Sequence, residues 1–158
     1  MAKDDLRKAL KELHPLQVID LPPSWTAVFA VAGFALGHGG VGGFGLGLGG
    51  LLILAGLGLM GLAAKKIREH DTTIIPHFHA DELVTTGIYS RTRNPIYLGD
   101  VLILSGIFVA GGAGLSLVLV PAFIWVLTVR FVLPEERRLA ERFGDRWTEY
   151  AARTRRWI

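Results

Sequence analysis

The sequence contains no cysteine, which excludes disulfides and thiolate metal sites. Between Asp20 and Lys65 it has no residue with a permanent charge. Those 44 residues would make a helix about 66 Å long at about 1.5 Å per residue. A bilayer core is about 30 Å thick, so a single span cannot use them all. No Lys or Arg falls in either of two glycine clusters, at 37–43 and 111–114. The net charge is only +3, and the Lys and Arg residues flank apolar runs. That placement serves topology and contact with anionic lipid, and no nucleic-acid partner is expected. No signal peptide is expected either. The chain opens with charged, helix-patterned residues, and no small-residue cleavage site follows the start of the apolar part after Leu21.

Half of the 158 residues are hydrophobic, and they lie in long blocks. The cluster Gly37-His38-Gly39-Gly40-Val41-Gly42-Gly43 is the natural reversal of the first block, between helices near Ser24–Leu36 and Phe44–Ala64. The second block, Ile96 to Leu133, divides at Gly111-Gly112-Ala113-Gly114, with a kink expected at Pro121. The expected fold is all-α, a polytopic membrane protein with about four spans plus N- and C-terminal interfacial helices. Charge gives the same count. Four basic residues precede span one, five lie between spans two and three, and eight lie from Arg130 to Arg156. All 17 fall on one side, which the positive-inside rule makes cytoplasmic, with both termini there. The expected layout is one domain over 1–158: an interfacial helix over 1–20, spans one and two over 21–64 and a cytoplasmic loop over 65–95. Spans three and four follow over 96–133, then a cytoplasmic amphipathic helix over 134–158.

Lys3–Leu13 carries Leu6, Leu10 and Leu13 on one helical face, the pattern of an interfacial helix. Leu139, Phe143, Trp147 and Tyr150 form a second stripe beside many Arg residues, read as a helix lying on lipid headgroups. Gly37-x-Gly39-x-x-Gly42 and Gly45-x-Gly47-x-x-Gly50 match a dinucleotide fingerprint but follow no strand, so they carry no cofactor reading. Gly43, Gly45, Gly47 and Gly49 suit close helix packing, and the second span could form a homodimer. His77-Phe78-His79 with Asp81 lacks a third clear ligand, and no metal site is expected. Asp100 is a costly acid inside span three, either functional or near enough to the interface to reach water.

Two stretches carry the chemistry. One is Thr86-Gly87-Ile88-Tyr89-Ser90-Arg91-Thr92-Arg93-Asn94-Pro95-Ile96-Tyr97-Leu98-Gly99; the other is Pro134-Glu135-Glu136-Arg137-Arg138-Leu139, followed by Phe143-Gly144 and Tyr150. They flank the last hairpin on one side, so they can meet in space. Together they would offer a guanidinium, an amide, carboxylates and tyrosines, a set that fits a zwitterionic, partly aromatic, cationic ligand. The same residue types also cap helices, and the residues alone leave both readings open.

This ordered set resembles the isoprenylcysteine carboxyl methyltransferase and phospholipid N-methyltransferase superfamily of integral membrane enzymes, over roughly Pro76 to Trp157. The resemblance implies S-adenosylmethionine bound on the cytoplasmic side and a lipid or lipophilic acceptor arriving from the bilayer. By position it implies cofactor contacts at Tyr89, Arg93, Asn94, Tyr97, Leu98, Gly99, Glu135 and Glu136, and catalytic roles for Tyr97, Glu136 and His79. His79, His77 or Glu136 would act as the base for an acceptor that must lose a proton. Isoprenylcysteine enzymes usually have His where this chain has Asn94. Asn is more similar to the phospholipid N-methyltransferase branch and to many bacterial members, which implies a phospholipid amine as acceptor and a bacterial or archaeal inner membrane. The alternatives are a prenylcysteine-like carboxylate, a small thiol, or a lipid-binding protein with no enzyme activity.

Overall fold

A computed structural model describes residues 20–70 and 82–158. The stretch Lys3–Leu13 and the loop residues His77, His79 and Asp81 lie outside the described residues. Among those described, every regular element is helical. Helices α1 (Pro22–Ala35) and α2 (Gly43–Glu69) are joined by the first glycine cluster, and α3 is Pro95–Ala110. A 3₁₀ turn at Gly87–Ser90 precedes α3, and a second one covers Gly114–Leu119. Helix α4 (Val120–Leu127) passes through a π-helical segment, Thr128–Val132, into α5 (Leu133–Phe143), and α6 is Asp145–Arg153. Two stretches are long and apolar enough to cross a membrane, Gly43–Glu69 and Gly114–Phe143; α3 is apolar but shorter.

Glycine sets the central packing. Gly49 and Gly56 of α2 lie seven residues apart, as do Gly106 and Gly99 on the antiparallel α3. A Cβ on Gly56 would sit 2.6 Å from the Gly99 carbonyl oxygen, and one on Gly106 would sit 2.6 Å from that of Gly49. Only backbones without side chains can approach so closely, which is how small residues join helices in lipid. On the other side of α3, Tyr97, Val101, Leu104 and Phe108 recur at helical spacing and form the core with Phe123, Leu127, Phe131 and Val132. Helix α1 closes this core: the Ser116 hydroxyl donates to the Gly33 carbonyl at 2.6 Å, and Phe29 packs on Phe123 with ring centroids 5.2 Å apart. Leu51, Leu54 and Leu62 of α2, and Trp125 and Val129 at the far edge, are exposed, as lipid-facing residues are.

The two glycine turns meet at one end of the bundle, where the Gly39 N–H donates to the Gly112 carbonyl at 2.9 Å. Gly112 has φ +70° with the Gly39 carbonyl against it, a position that excludes other residues. At the opposite end Asp20 accepts from both the Trp25 indole, at 3.0 Å, and Arg130 Nε, at 2.6 Å, pinning the start of α1 to the π segment. The expected kink at Pro121 is instead a change of helix type, because Pro121 occupies the first turn of α4 after the 3₁₀ segment, where its missing N–H is harmless. The π segment has its own cause. Pro134 has no N–H to offer the carbonyl four residues back, and the ladder lengthens: the Leu133 N–H bonds the Thr128 carbonyl, five residues away.

Packing at the glycine seam predicts opposite signs for the same substitution. Gly106→Ala should destabilise by about 1–3 kcal/mol through overpacking against α2. Gly58→Ala, where nothing lies within 4 Å, should stabilise by about 0.4–1 kcal/mol. Thermal unfolding in detergent micelles checks both.

Candidate functional site

The segment between α2 and α3 is held by the chain's last residues. Gly87 opens it with φ +62°, in the left-handed region that favours glycine, and lies over the Lys66 side chain. The Arg93 N–H donates to the Arg155 carbonyl at 3.0 Å. The Thr92 hydroxyl, at 3.2 Å, and the Asn94 amide, at 3.0 Å, both donate to the Arg156 carbonyl. Thr92 Oγ1 also accepts the Asn94 N–H at 3.2 Å. The buried pair Thr92 and Asn94 thus ties the entry of α3 to the extended tail beyond α6.

Next to this seam, Arg93 and Arg156 share one carboxylate. Arg156 donates to Glu136 through Nε at 3.0 and 3.2 Å and through a terminal nitrogen at 2.7 Å, and an Arg93 terminal nitrogen lies 3.4 Å from Glu136 Oε1. The carboxylate raises the Arg156 pKa by hydrogen bonding. The neighbouring Glu135 faces elsewhere, accepting from the Tyr97 hydroxyl at 2.8 Å while the Tyr97 ring stacks on Phe131.

These groups lie around an open pocket lined by Ile67, Glu82, Leu83, Val84, Tyr89, Arg93, Glu135, Leu139, Trp147 and Tyr150. Its wall is part aromatic and part charged. Arg93 lies 5.6 Å from the Trp147 ring centroid, and Trp147 meets Tyr150 edge to face. The Tyr150 hydroxyl donates to the Tyr89 carbonyl at 2.7 Å. Burial pushes both the Tyr89 and Tyr150 phenols up, so both stay protonated as hydrogen-bond donors. At the rim, Glu82 pairs with His70 at 3.1 Å.

Of the residues expected to hold a cofactor, Tyr89, Arg93 and Glu135 line this pocket, and Tyr97 stands behind Glu135. Glu136 and Asn94 are turned to Arg156 and the tail. Leu98 is not among the lining residues, and Gly99 packs on Met60 and Gly56 of α2. The sequence reading missed Glu82, Leu83 and Trp147 as lining residues and Arg156 as the partner of Glu136. The stripe Leu139, Phe143, Trp147 and Tyr150 was visible, but it faces inward against Leu83 rather than outward to headgroups. The apolar pair Leu83-Val84, buried in an otherwise polar loop, is the signal that it needed a partner inside the protein.

The two adjacent glutamates predict different stability effects. Glu136→Gln removes a charge shared by two guanidiniums and should cost about 1.5–3 kcal/mol, the range for hydrogen bonds to charged groups. Glu135→Gln keeps an oxygen for Tyr97 and should change stability by less than about 0.5 kcal/mol. Thermal unfolding of the two variants separates them.

No curated protein and no solved structure matches the chain. The sequence signature of the phospholipid methyltransferase family matches residues 44–146, well over half of the chain, and the protein therefore belongs to that family of membrane methyltransferases.

Proposed function

We propose that the protein transfers a methyl group from S-adenosylmethionine to the amine head of a phospholipid at the cytoplasmic face of the membrane. The observation that carries this reading is the pocket, with carboxylates, a guanidinium and aromatic faces around one cavity. The residues fit the donor by chemistry. Glu82 and Glu135 suit its ammonium, and Tyr89 and Trp147 suit its cationic and aromatic parts. Arg93 Nε is buried with no hydrogen-bond partner, a donor that a ligand carboxylate or hydroxyl would satisfy. Bound there, S-adenosylmethionine would supply an electrophilic methyl group on sulfur. The rest falls to the chain. Tyr97 holds Glu135 in place, the Glu136–Arg156 pair fixes Arg93, and α6 supplies the Trp147 and Tyr150 walls. Methyl transfer needs little beyond alignment of the partners, so a rigid cavity wall supplies much of the rate. The family signature favours a phospholipid over a prenylcysteine-like carboxylate or a small thiol.

For topology, the reading is four crossings, with α1 and α3 as the shorter spans and the pocket on the cytoplasmic side. Its support is that all 17 basic residues lie away from the two glycine turns, which meet each other at the far end of the bundle. Cysteines at Gly40 and Gly114, where side chains meet open space, should be labelled by impermeant reagents from outside intact cells. A cysteine at Ser90 should not be; its labelling from outside sinks this topology.

Calorimetry tests donor binding. The parent should bind S-adenosylmethionine at about 1 μM, corresponding to about 8 kcal/mol, with competition by S-adenosylhomocysteine. Glu135→Ala should weaken binding by about 1.5–3 kcal/mol, the range for a charged hydrogen-bond partner. Unchanged binding in Glu135→Ala and Glu82→Ala would remove the carboxylates from the site.

A further inference from the structure

Among the described residues, two buried side-chain polar atoms lack a hydrogen-bond partner: Arg93 Nε, already placed at the pocket, and Asp100 Oδ2. Asp100 is 4% exposed, on the apolar helix α3. A carboxylate so placed is costly, and an unpaired oxygen on it adds to the cost. Across the helix interface it faces Thr26 of α1, whose hydroxyl donates to the Pro22 carbonyl at 3.2 Å.

The position of Asp100 suggests its use. It lies three residues beyond Tyr97, about 4.5 Å along the axis, and Tyr97 is the residue whose hydroxyl meets Glu135 at the pocket wall. Thr26 follows Trp25, which touches both Asp20 and Arg130. The acid therefore lies near the corner where α1, α3 and the π segment meet, a corner tied by the contacts of Asp20, Trp25 and Arg130. A phospholipid entering sideways at this corner keeps its chains in the bilayer and leads with its headgroup. Each CH₂ left in lipid avoids a cost of about 0.8 kcal/mol.

We infer that Asp100 is the acceptor-side residue, holding the primary or secondary amine of a lipid headgroup and taking its proton. This rests on the methyltransferase reading above. The ammonium gives a proton to the Asp100 carboxylate. The freed nitrogen lone pair then forms the N–CH₃ bond as the S–CH₃ bond of the sulfonium donor breaks, its electron pair staying on sulfur as a thioether. Asp100 returns the proton to water before the next cycle. The carboxylates at the donor pocket, Glu82 and Glu135, are left to the donor.

The test uses the full-length protein in vesicles containing phosphatidylethanolamine, with S-adenosylmethionine as donor. Asp100→Asn should lower kcat/KM for the lipid by about 100-fold or more, the usual contribution of a general base. Its donor affinity by calorimetry should stay within about twofold of the parent, under 0.5 kcal/mol. Asp100→Glu should keep donor affinity and recover part of the turnover. Water-soluble ethanolamine, offered in place of the lipid, should be a poor substrate for the parent. Turnover of Asp100→Asn equal to the parent overturns the inference. So does an equal loss of donor binding and methylation in Asp100→Asn, which would make Asp100 a structural group. A parent that binds donor but methylates only a carboxylate or thiol also overturns it. Absence of donor binding by the parent instead sinks the reading beneath it.

Discussion

One carboxylate organises the end of the molecule that carries the pocket. Glu136 is largely buried and carries a single negative charge between two guanidiniums, Arg156 from the tail and Arg93 from the entry of α3. Without it, two positive groups would face each other in a partly desolvated space, which is expensive. With it, the tail is drawn against residues 92–94, and Thr92 and Asn94 find the Arg156 carbonyl. The placement of α6 follows, and with it the Trp147 and Tyr150 walls of the pocket. Arg93 gains a fixed position over Trp147 while its Nε is left for a ligand. Residues far apart in the chain thus become one cavity through a charge that does not itself line it.

A second constraint works inside the bundle. The glycine seam between α2 and α3 brings two backbones together and fixes where α3 begins relative to the end of α2. That places Ile67 at the pocket and Gly87 over Lys66. The π segment then adds a residue to its turn, which rotates the helix after it. Glu135 is thereby presented to Tyr97, and Glu136 to Arg156.

The helical class and the reversals at the glycine clusters were legible because hydrophobic runs, glycine and charge partition are local properties of the chain. That Tyr89, Arg93 and Glu135 would come together was legible through the resemblance of an ordered motif, and all three line the pocket. The division of labour between Glu135 and Glu136 was not, since adjacent residues on a helix point about 100° apart and only the partners decide which one faces a cavity. Arg156 was read as one more charge for topology. Its role depends on a contact twenty residues back, across a turn whose path no periodicity encodes. The stripe through Trp147 was assigned to lipid because an amphipathic helix fits a membrane surface and a protein surface equally well. Of the glycines expected to allow close helix packing, Gly45 and Gly49 face α3, while Gly43 and Gly47 meet open space.

Methyl transfer to lipid tests the account most directly. Vesicles containing phosphatidylethanolamine and the reconstituted protein would be incubated with isotopically labelled S-adenosylmethionine, and the lipids analysed by mass spectrometry. The account predicts label in mono- or dimethylated phosphatidylethanolamine with the parent protein and its near absence with Arg93→Ala. Label confined to a water-soluble product, or lipid methylation undiminished in Arg93→Ala, would contradict it.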